Sequence, residues 1–407
     1  MTIQQYIEEN LPKTIRYMPQ DEPPRFGLPY PFIVPCAKDA FQEMYYWDSY
    51  FTNAGLIAIG ESQQAKYNVD NLLSLLDRFG FVLNGSHASY LHNSQPPFLS
   101  LMMREVYEVF PNREWLGESY PKLQKEYDFW TTRRLCDCGL YRYDCEPLPD
   151  DQITGTAEAL VSRLGYRPEG VTDRELARGL RSFGESGWDC TPRFTYDVYN
   201  YAPADLNSLL YAMTDNLAFF ASELGLTAEA TAWQAKRDAH AARMRELLKN
   251  ENGVFMDYYT KNRTRGAVHS AACFYPLYVG MATAEEAAAA VSEVLPRIET
   301  AHGVACCEQC NVPGVFQWGY PNGWAPTTRV VVEGLLRYGY REEALRIAAK
   351  FVETIERRFA QTGHLWEKYN VVEQDGAATD EYEMPAMLGW TFSVYVCFCK
   401  LLGKDTK

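Results

Sequence analysis

Tyr46-Trp47-Asp48-Ser49-Tyr50-Phe51-Thr52-Asn53-Ala54-Gly55-Leu56-Ile57-Ala58-Ile59 is an apolar run of helical spacing closed by Gly60, and the chain restarts at Ser62 and runs to Phe79 before Gly80. Apolar positions recur three and four apart in the second run, so the two runs read as a helical hairpin. The joint, Gly60-Glu61-Ser62-Gln63-Gln64-Ala65, recurs as Gly225-Leu226-Thr227-Ala228-Glu229-Ala230 and as Gly339-Tyr340-Arg341-Glu342-Glu343-Ala344, with a looser copy from Gly280 to Ala287. Glycine can adopt the left-handed conformation that ends a helix, and the alanine five residues on lets the returning helix approach closely. Repetition of one hairpin predicts an all-α toroid or solenoid.

Further helices are expected over 95–109, 113–134, 156–164, 172–180, 205–224, 228–249, 283–294, 327–338, 341–359 and 386–402. Residues 1–41, rich in proline and aromatics with little helical period, read as an extended N-terminal arm packed on a barrel formed by residues 42–407. No linker, charge block or low-complexity segment divides the chain, which points to a single domain overall.

The net charge of -14 over 407 residues argues against nucleic acid and anionic membrane surfaces, which need clustered Lys and Arg. The N-terminus lacks the basic start and apolar core of a signal peptide, and no apolar run is long enough to span a bilayer. Cytoplasmic residence follows as the expectation. The eleven cysteines are an odd number and several are crowded, as in Cys136 with Cys138 and Cys306 with Cys307 and Cys310. Such spacing suits neither disulfides nor a paired zinc ribbon.

The connections between helices are long and carry the chemistry. Phe316-Gln317-Trp318-Gly319-Tyr320-Pro321-Asn322-Gly323-Trp324-Ala325-Pro326 cannot be a regular helix and reads as a rigid aromatic loop at the mouth of one. Aromatic faces and side-chain amides suit a sugar ring, which stacks its C–H face and hydrogen-bonds through its hydroxyls. Carboxylates beside Trp or Tyr recur at Trp47-Asp48, Glu185-Ser186-Gly187-Trp188-Asp189, Trp366-Glu367-Lys368-Tyr369 and Glu381-Tyr382-Glu383. Glycoside hydrolysis calls for two carboxyl groups flanking the bond, one kept protonated by apolar surroundings and one ionised. Nucleophile elbows, P-loops and dinucleotide fingerprints are missing, and the six histidines form no metal motif.

Tyr45-Tyr46-Trp47-Asp48-Ser49-Tyr50-Phe51, Ser94-Gln95-Pro96-Pro97, Glu185-Ser186-Gly187-Trp188-Asp189, Pro321-Asn322-Gly323-Trp324-Ala325-Pro326 and Glu367-Lys368-Tyr369 resemble, in order, the signature segments of trehalases, glycoside hydrolase family 37. The resemblance runs from about Pro35 to Leu402. It implies an (α/α)6 barrel with long loops over one end, and hydrolysis of an α-glucoside with inversion. By the same resemblance Asp189 is the general acid and Glu367 the general base. Phe41, Trp47, Asp48, Asn84, Gln95, Arg167, Glu169, Gly187, Trp318, Asn322, Trp324 and Glu381 are expected in or around the sugar pocket. Inversion asks for the two carboxyls to stand about 6.5–9.5 Å apart, leaving space for water. No metal or cofactor is expected, since an acid and a base suffice. The expected partner is a small neutral sugar.

Ala40 and Asn93 stand where the family pattern has arginine, and Gly319 and Asn370 where it has aspartate. The resemblance implies that the family uses the two arginines on the sugars, so a disaccharide other than trehalose, or a glucosylated or mannosylated polyol or acid, is the alternative substrate. Lys38 or Lys368 could supply a cation, although lysine lacks the planar fork of arginine. Two other classes of toroid stay open: a sugar 2-epimerase-like enzyme, which would work through histidines, and a sugar-binding toroid without turnover.

Overall fold

The computed structural model describes residues 1–404 except 375 and 379–382. The helices are α1 (Ile3–Asn10), α2 (Tyr46–Ile59), α3 (Ser62–Phe79), α4 (Leu99–Val109), α5 (Arg113–Arg133), α6 (Asp150–Leu164), α7 (Asp173–Ser186), α8 (Ala204–Glu223) and α9 (Thr227–Leu247). They continue as α10 (Tyr275–Tyr278), α11 (Ala284–Ala289), α12 (Leu295–Ile298), α13 (Ala325–Arg337), α14 (Arg341–Thr362) and α15 (Gly389–Leu401). Short strands form three small antiparallel sheets: β1 (Ile15–Arg16) with β2 (Phe32–Ile33); β3 (Tyr201–Ala202), β4 (Tyr258–Tyr259) and β5 (Thr264–Arg265); and β6 (Asn322–Trp324) with β7 (Lys368–Asn370).

The repeated joint behaves as its glycines require. Gly60, Gly225 and Gly339 have φ of 93, 77 and 85°, and Ala65, Ala230 and Ala344 are buried where the next helix returns. Among the described residues, α2, α4, α8, α10, α13 and α15 pack each against the next, and α15 returns to α2. The ring is closed, which makes the chain a toroid and not a solenoid. Helices α3, α5, α9 and α14 pack outside it. Burial follows position: 15 residues of inner α8 are buried, against four of outer α9, as expected of a helix covered all round and one with a single apolar stripe.

The seam between first and last inner helices needs Gly55. A Cβ built there would lie 2.5 Å from the Cα of Ser393, and the Gly55 N–H donates to Ser393 Oγ at 2.6 Å. The N-terminal arm is fastened to α3 by buried amides. Asn71 accepts from the Tyr30 N–H at 3.0 Å and donates to the Tyr30 carbonyl at 3.1 Å, and Asn68 accepts from the Ile33 N–H at 3.3 Å.

Two expectations are corrected, and one inner segment had no counterpart in the sequence reading. The arm is not wholly extended: α1 forms because Thr2 and Gln5 make a capping box that satisfies donors at the helix start. The fourth helix begins at Leu99 instead of 95, since a residue preceding proline is pushed out of the helical region and both Gln95 and Pro96 precede one. The inner segment Ala271–Phe274 and Tyr275–Tyr278 was missed because Pro276 and Gly280 break its helical spacing.

Gly55→Ala is expected to lower stability by about 1–3 kcal/mol through overpacking of the seam, read from the urea midpoint. An unchanged midpoint would show that α2 and α15 separate freely.

Candidate active site

The chain reaches each inner helix through a long loop, and the loops preceding α2, α4, α8, α13 and α15 supply most of one cavity of about 440 Å³, a size suited to a small ligand. Trp47, Asp48, Trp324 and Trp390 lie at the entry or in the first turn of inner helices, where unpaired N–H groups give a positive dipole end. Asp48 sits in the first turn of α2.

Tryptophans make the wall. Trp318 stacks on Trp324 with ring centroids 3.8 Å apart and planes 10° apart, while Trp47 lies 5.3 Å from Trp318 and Trp390 meets Trp47 and Trp324 edge-on. The loop turns tightly because the Gln317 carbonyl accepts both Asn322 Nδ2 and Trp324 Nε1 at 3.0 Å. Strand β6 then pairs with β7, Trp324 opposite Lys368. That register sets Glu367 beside the wall.

Among the described residues three carboxylates face this cavity: Asp48, Asp189 and Glu367. Burial, followed by the charge of Glu367 and a smaller contribution from Asp189, raises the Asp48 pKa to about 8 against an opposing backbone hydrogen bond. Burial raises the Asp189 pKa too, while Arg163 pulls it down; the guanidinium is 3.7 Å from the carboxylate. The Asp189 side chain opens onto the cavity and is 36% exposed. Glu367 is 3.1 Å from the fully buried Lys368 ammonium, which lies 5.0 Å from the Trp324 ring centre.

Glu185 organises the approach to Asp189. Its buried carboxylate takes two hydrogen bonds from Arg134, each 2.8 Å, and accepts the N–H groups of Ser94 at 2.9 Å and Asp144 at 2.7 Å. Gln95 accepts the Trp47 N–H at 3.0 Å, and Asn84 donates to the Gly184 carbonyl at 2.7 Å. Gly187 ends α7 with φ 70°, and a Cβ there would come within 2.7 Å of the Trp47 ring. No other residue fits between α7 and that indole. After Asp189 the chain is held by Arg193, buried and paired with Asp205 and Asp257 at 2.7 and 2.8 Å.

Of the residues expected at the site, Phe41, Trp47, Asp48, Asn84, Gln95, Gly187, Asp189, Trp318, Trp324 and Glu367 line the cavity. Arg167 and Glu169 do not: both are exposed, and Arg167 pairs with Glu158 and Asp173 at 2.7 and 3.0 Å. Asn322 is buried behind the wall, with its amide on the Gln317 carbonyl. Glu381 lies outside the described residues. Lys38 is exposed and faces Asp39. His87 accepts the Ser89 N–H, a structural role. Arg163, Arg181, Gln317, Tyr45, Tyr90 and Trp390 also line the cavity. Arg163 and Arg181 sit on helices whose charged faces read as solvated, so nothing in the sequence marked them.

A helical toroid whose loops gather carboxylates against a tryptophan wall defines the toroidal class of glycoside hydrolase. A family model described as Trehalase matches residues 2–403. The periplasmic trehalase of Xanthomonas axonopodis pv. citri is 34% identical over 442 residues, covering 100% of this chain and 74% of that protein. That of Pseudomonas aeruginosa is 31% identical over 406 residues, covering 92% and 72%. Neutral trehalase Nth1 from Saccharomyces cerevisiae superposes with a TM-score of 0.79 at 28% identity, covering 91% of this chain and 74% of that one. The GH63 mannosylglycerate hydrolase of Thermus thermophilus, in complex with glucose, shares the fold with a TM-score of 0.63 at 19% identity over 98% and 99% of the two chains. The chain belongs to the trehalase family and is a glycoside hydrolase. The expectation of cytoplasmic residence is overturned by the curated relatives, which are named periplasmic trehalases. No described helix is long and apolar enough to cross a membrane.

An acid whose folded pKa lies above its unfolded value holds a proton that the unfolded chain has lost, so it destabilises the fold as pH rises between the two values. For Asp48 that window runs from its unfolded value, about 3.9, to about 8. Asp48→Asn is therefore expected to gain stability relative to the parent through that window and to level off above it, measured by denaturant unfolding at a series of pH values. A difference independent of pH would show that Asp48 is ionised throughout.

Proposed function

We propose that this pocket hydrolyses α,α-trehalose with inversion, Asp189 acting as general acid and Glu367 as general base. The observation that supports the reading is that both carboxylates face one tryptophan-walled cavity, each beside a cation. Burial raises the Asp189 pKa while Arg163, 3.7 Å away, opposes it, and Glu367 lies 3.1 Å from a fully buried ammonium. The acid must hold a proton and the base must be ionised. Glu367 draws a proton from water as the water attacks the anomeric carbon, and Asp189 delivers a proton to the departing glycosidic oxygen. Trp47, Trp318, Trp324 and Phe41 give the sugar its apolar faces, and Asp48, Asn84 and Gln95 exchange hydrogen bonds with its hydroxyls. Gly187 keeps the floor open. The arm of residues 1–41 works as part of the barrel, since its last residue, Phe41, lines the cavity.

A second reading, another small neutral α-glucoside, is favoured by one feature: Ala40 and Asn93 offer no cation where trehalases carry arginine.

Asp189→Asn and Glu367→Gln are each expected to lower kcat on trehalose by about 10²–10⁴-fold with the melting temperature nearly unchanged. Full turnover in either variant would remove that residue from the mechanism. Proton NMR of the earliest products should show α- and β-glucose in equal amounts, and α-glucose alone would rule out inversion.

A further inference from the structure

Two guanidiniums face the cavity, and neither belongs to the ring of inner helices. Arg163 lies in the last turn of α6 and Arg181 on α7, and these two helices pack on each other as a separate hairpin. Arg163 reaches Asp189 at 3.7 Å. Among the described residues Arg181 makes no ion pair. Its hydrogen bond runs to the Ser89 carbonyl at 3.3 Å, and its Nε is buried without an acceptor. A buried N–H left without a partner is costly, and a charged one more so. The cavity lining thus carries two guanidiniums from the hairpin α6–α7, one of them beside Asp189.

We infer that Arg163 and Arg181 form the outer subsite, and that it reads the adjacent hydroxyls of a neutral, polyhydroxylated leaving group. The inference rests on the assignment of Asp189 as the acid, because the leaving oxygen must then lie beside it and so beside Arg163. A guanidinium fork donates to two neighbouring oxygens at once, which vicinal hydroxyls offer. A neutral leaving group fits better than an anionic one, since a second full negative charge would share Arg163 with the Asp189 carboxylate. The donors expected at positions 40 and 93 are thus supplied from a different hairpin.

The test compares trehalose with α-glucosyl fluoride, whose leaving group is a single small ion that cannot reach Arg181. In Arg181→Met the trehalose-to-fluoride ratio of kcat/KM is expected to fall on the order of 10- to 100-fold. Arg181→Lys should recover only part of it, because lysine keeps the charge without the fork. Arg163→Met should shift the ratio in the same direction. An unchanged ratio, or equal losses on both substrates, overturns the subsite. A parent enzyme that prefers an α-glucoside with a carboxylate-bearing leaving group over trehalose, with that preference lost in Arg181→Met, overturns the neutral assignment. Turnover of trehalose by the parent protein tests the proposed function separately, since the ratio in the variants reports only on the arginines.

Discussion

The carboxylate of Glu185 is the point on which the loops depend. It is fully buried, and an isolated carboxylate there would be untenable. Arg134 meets it with two parallel hydrogen bonds, and the N–H groups of Ser94 and Asp144 complete its shell. The clamp joins the end of α5, the loop carrying Asn84 and Gln95, the strand-like stretch around Asp144 and the last turn of α7. Each of those segments carries or adjoins a cavity residue. A buried ion pair of this kind contributes little net stability over apolar packing, so what it contributes here is geometry: four segments that share no sheet are held in one register.

The ring supplies the other half of that geometry. With Gly55 against Ser393 the last helix closes on the first, and the loops before the inner helices converge over one hole. Trp324 and Trp390 stand at the entries to α13 and α15, so the wall inherits the rigidity of the toroid. Strand pairing between β6 and β7 then fixes Glu367 relative to Trp324. Loops on such a frame can be irregular without being loose.

Much of this was legible in the sequence where backbone chemistry is local. Glycine joints at Gly60, Gly225 and Gly339 announced the hairpins, and the span of α2 could be read from Tyr46 to Ile59 because an apolar run ended in a residue suited to positive φ. The signature segments carried Asp189 and Glu367 to one cavity. Where the reading stopped, the reason is physical. Arg167 and Arg163 are one helical turn apart around the end of α6, and only packing decides which enters the pocket and which meets Glu158 and Asp173. Asn322 carries the right chemistry, but the turn that displays the tryptophans draws its amide onto Gln317. In the sequence Glu185 stands only as part of a motif, since nothing there distinguishes a buried clamp from a surface acid until its four donors are in place.

Among the described residues three carboxylates share one cavity, and they cannot all be ionised cheaply without cations to balance them. Glu367 has Lys368 and Asp189 has Arg163, while no cation pairs with Asp48 among the described residues. Burial and the charge of Glu367 raise the Asp48 pKa to about 8, and a protonated Asp48 can both donate to and accept from a sugar hydroxyl. Asp189 is the group left in balance, raised by burial and lowered by a single guanidinium. A ligand hydroxyl that draws Arg163 toward itself removes the lowering influence and leaves the raising one. On the proposed assignment of Asp189 as the acid and of Arg163 to the outer subsite, a leaving group that fills that subsite would move Asp189 toward the protonated state that a general acid requires.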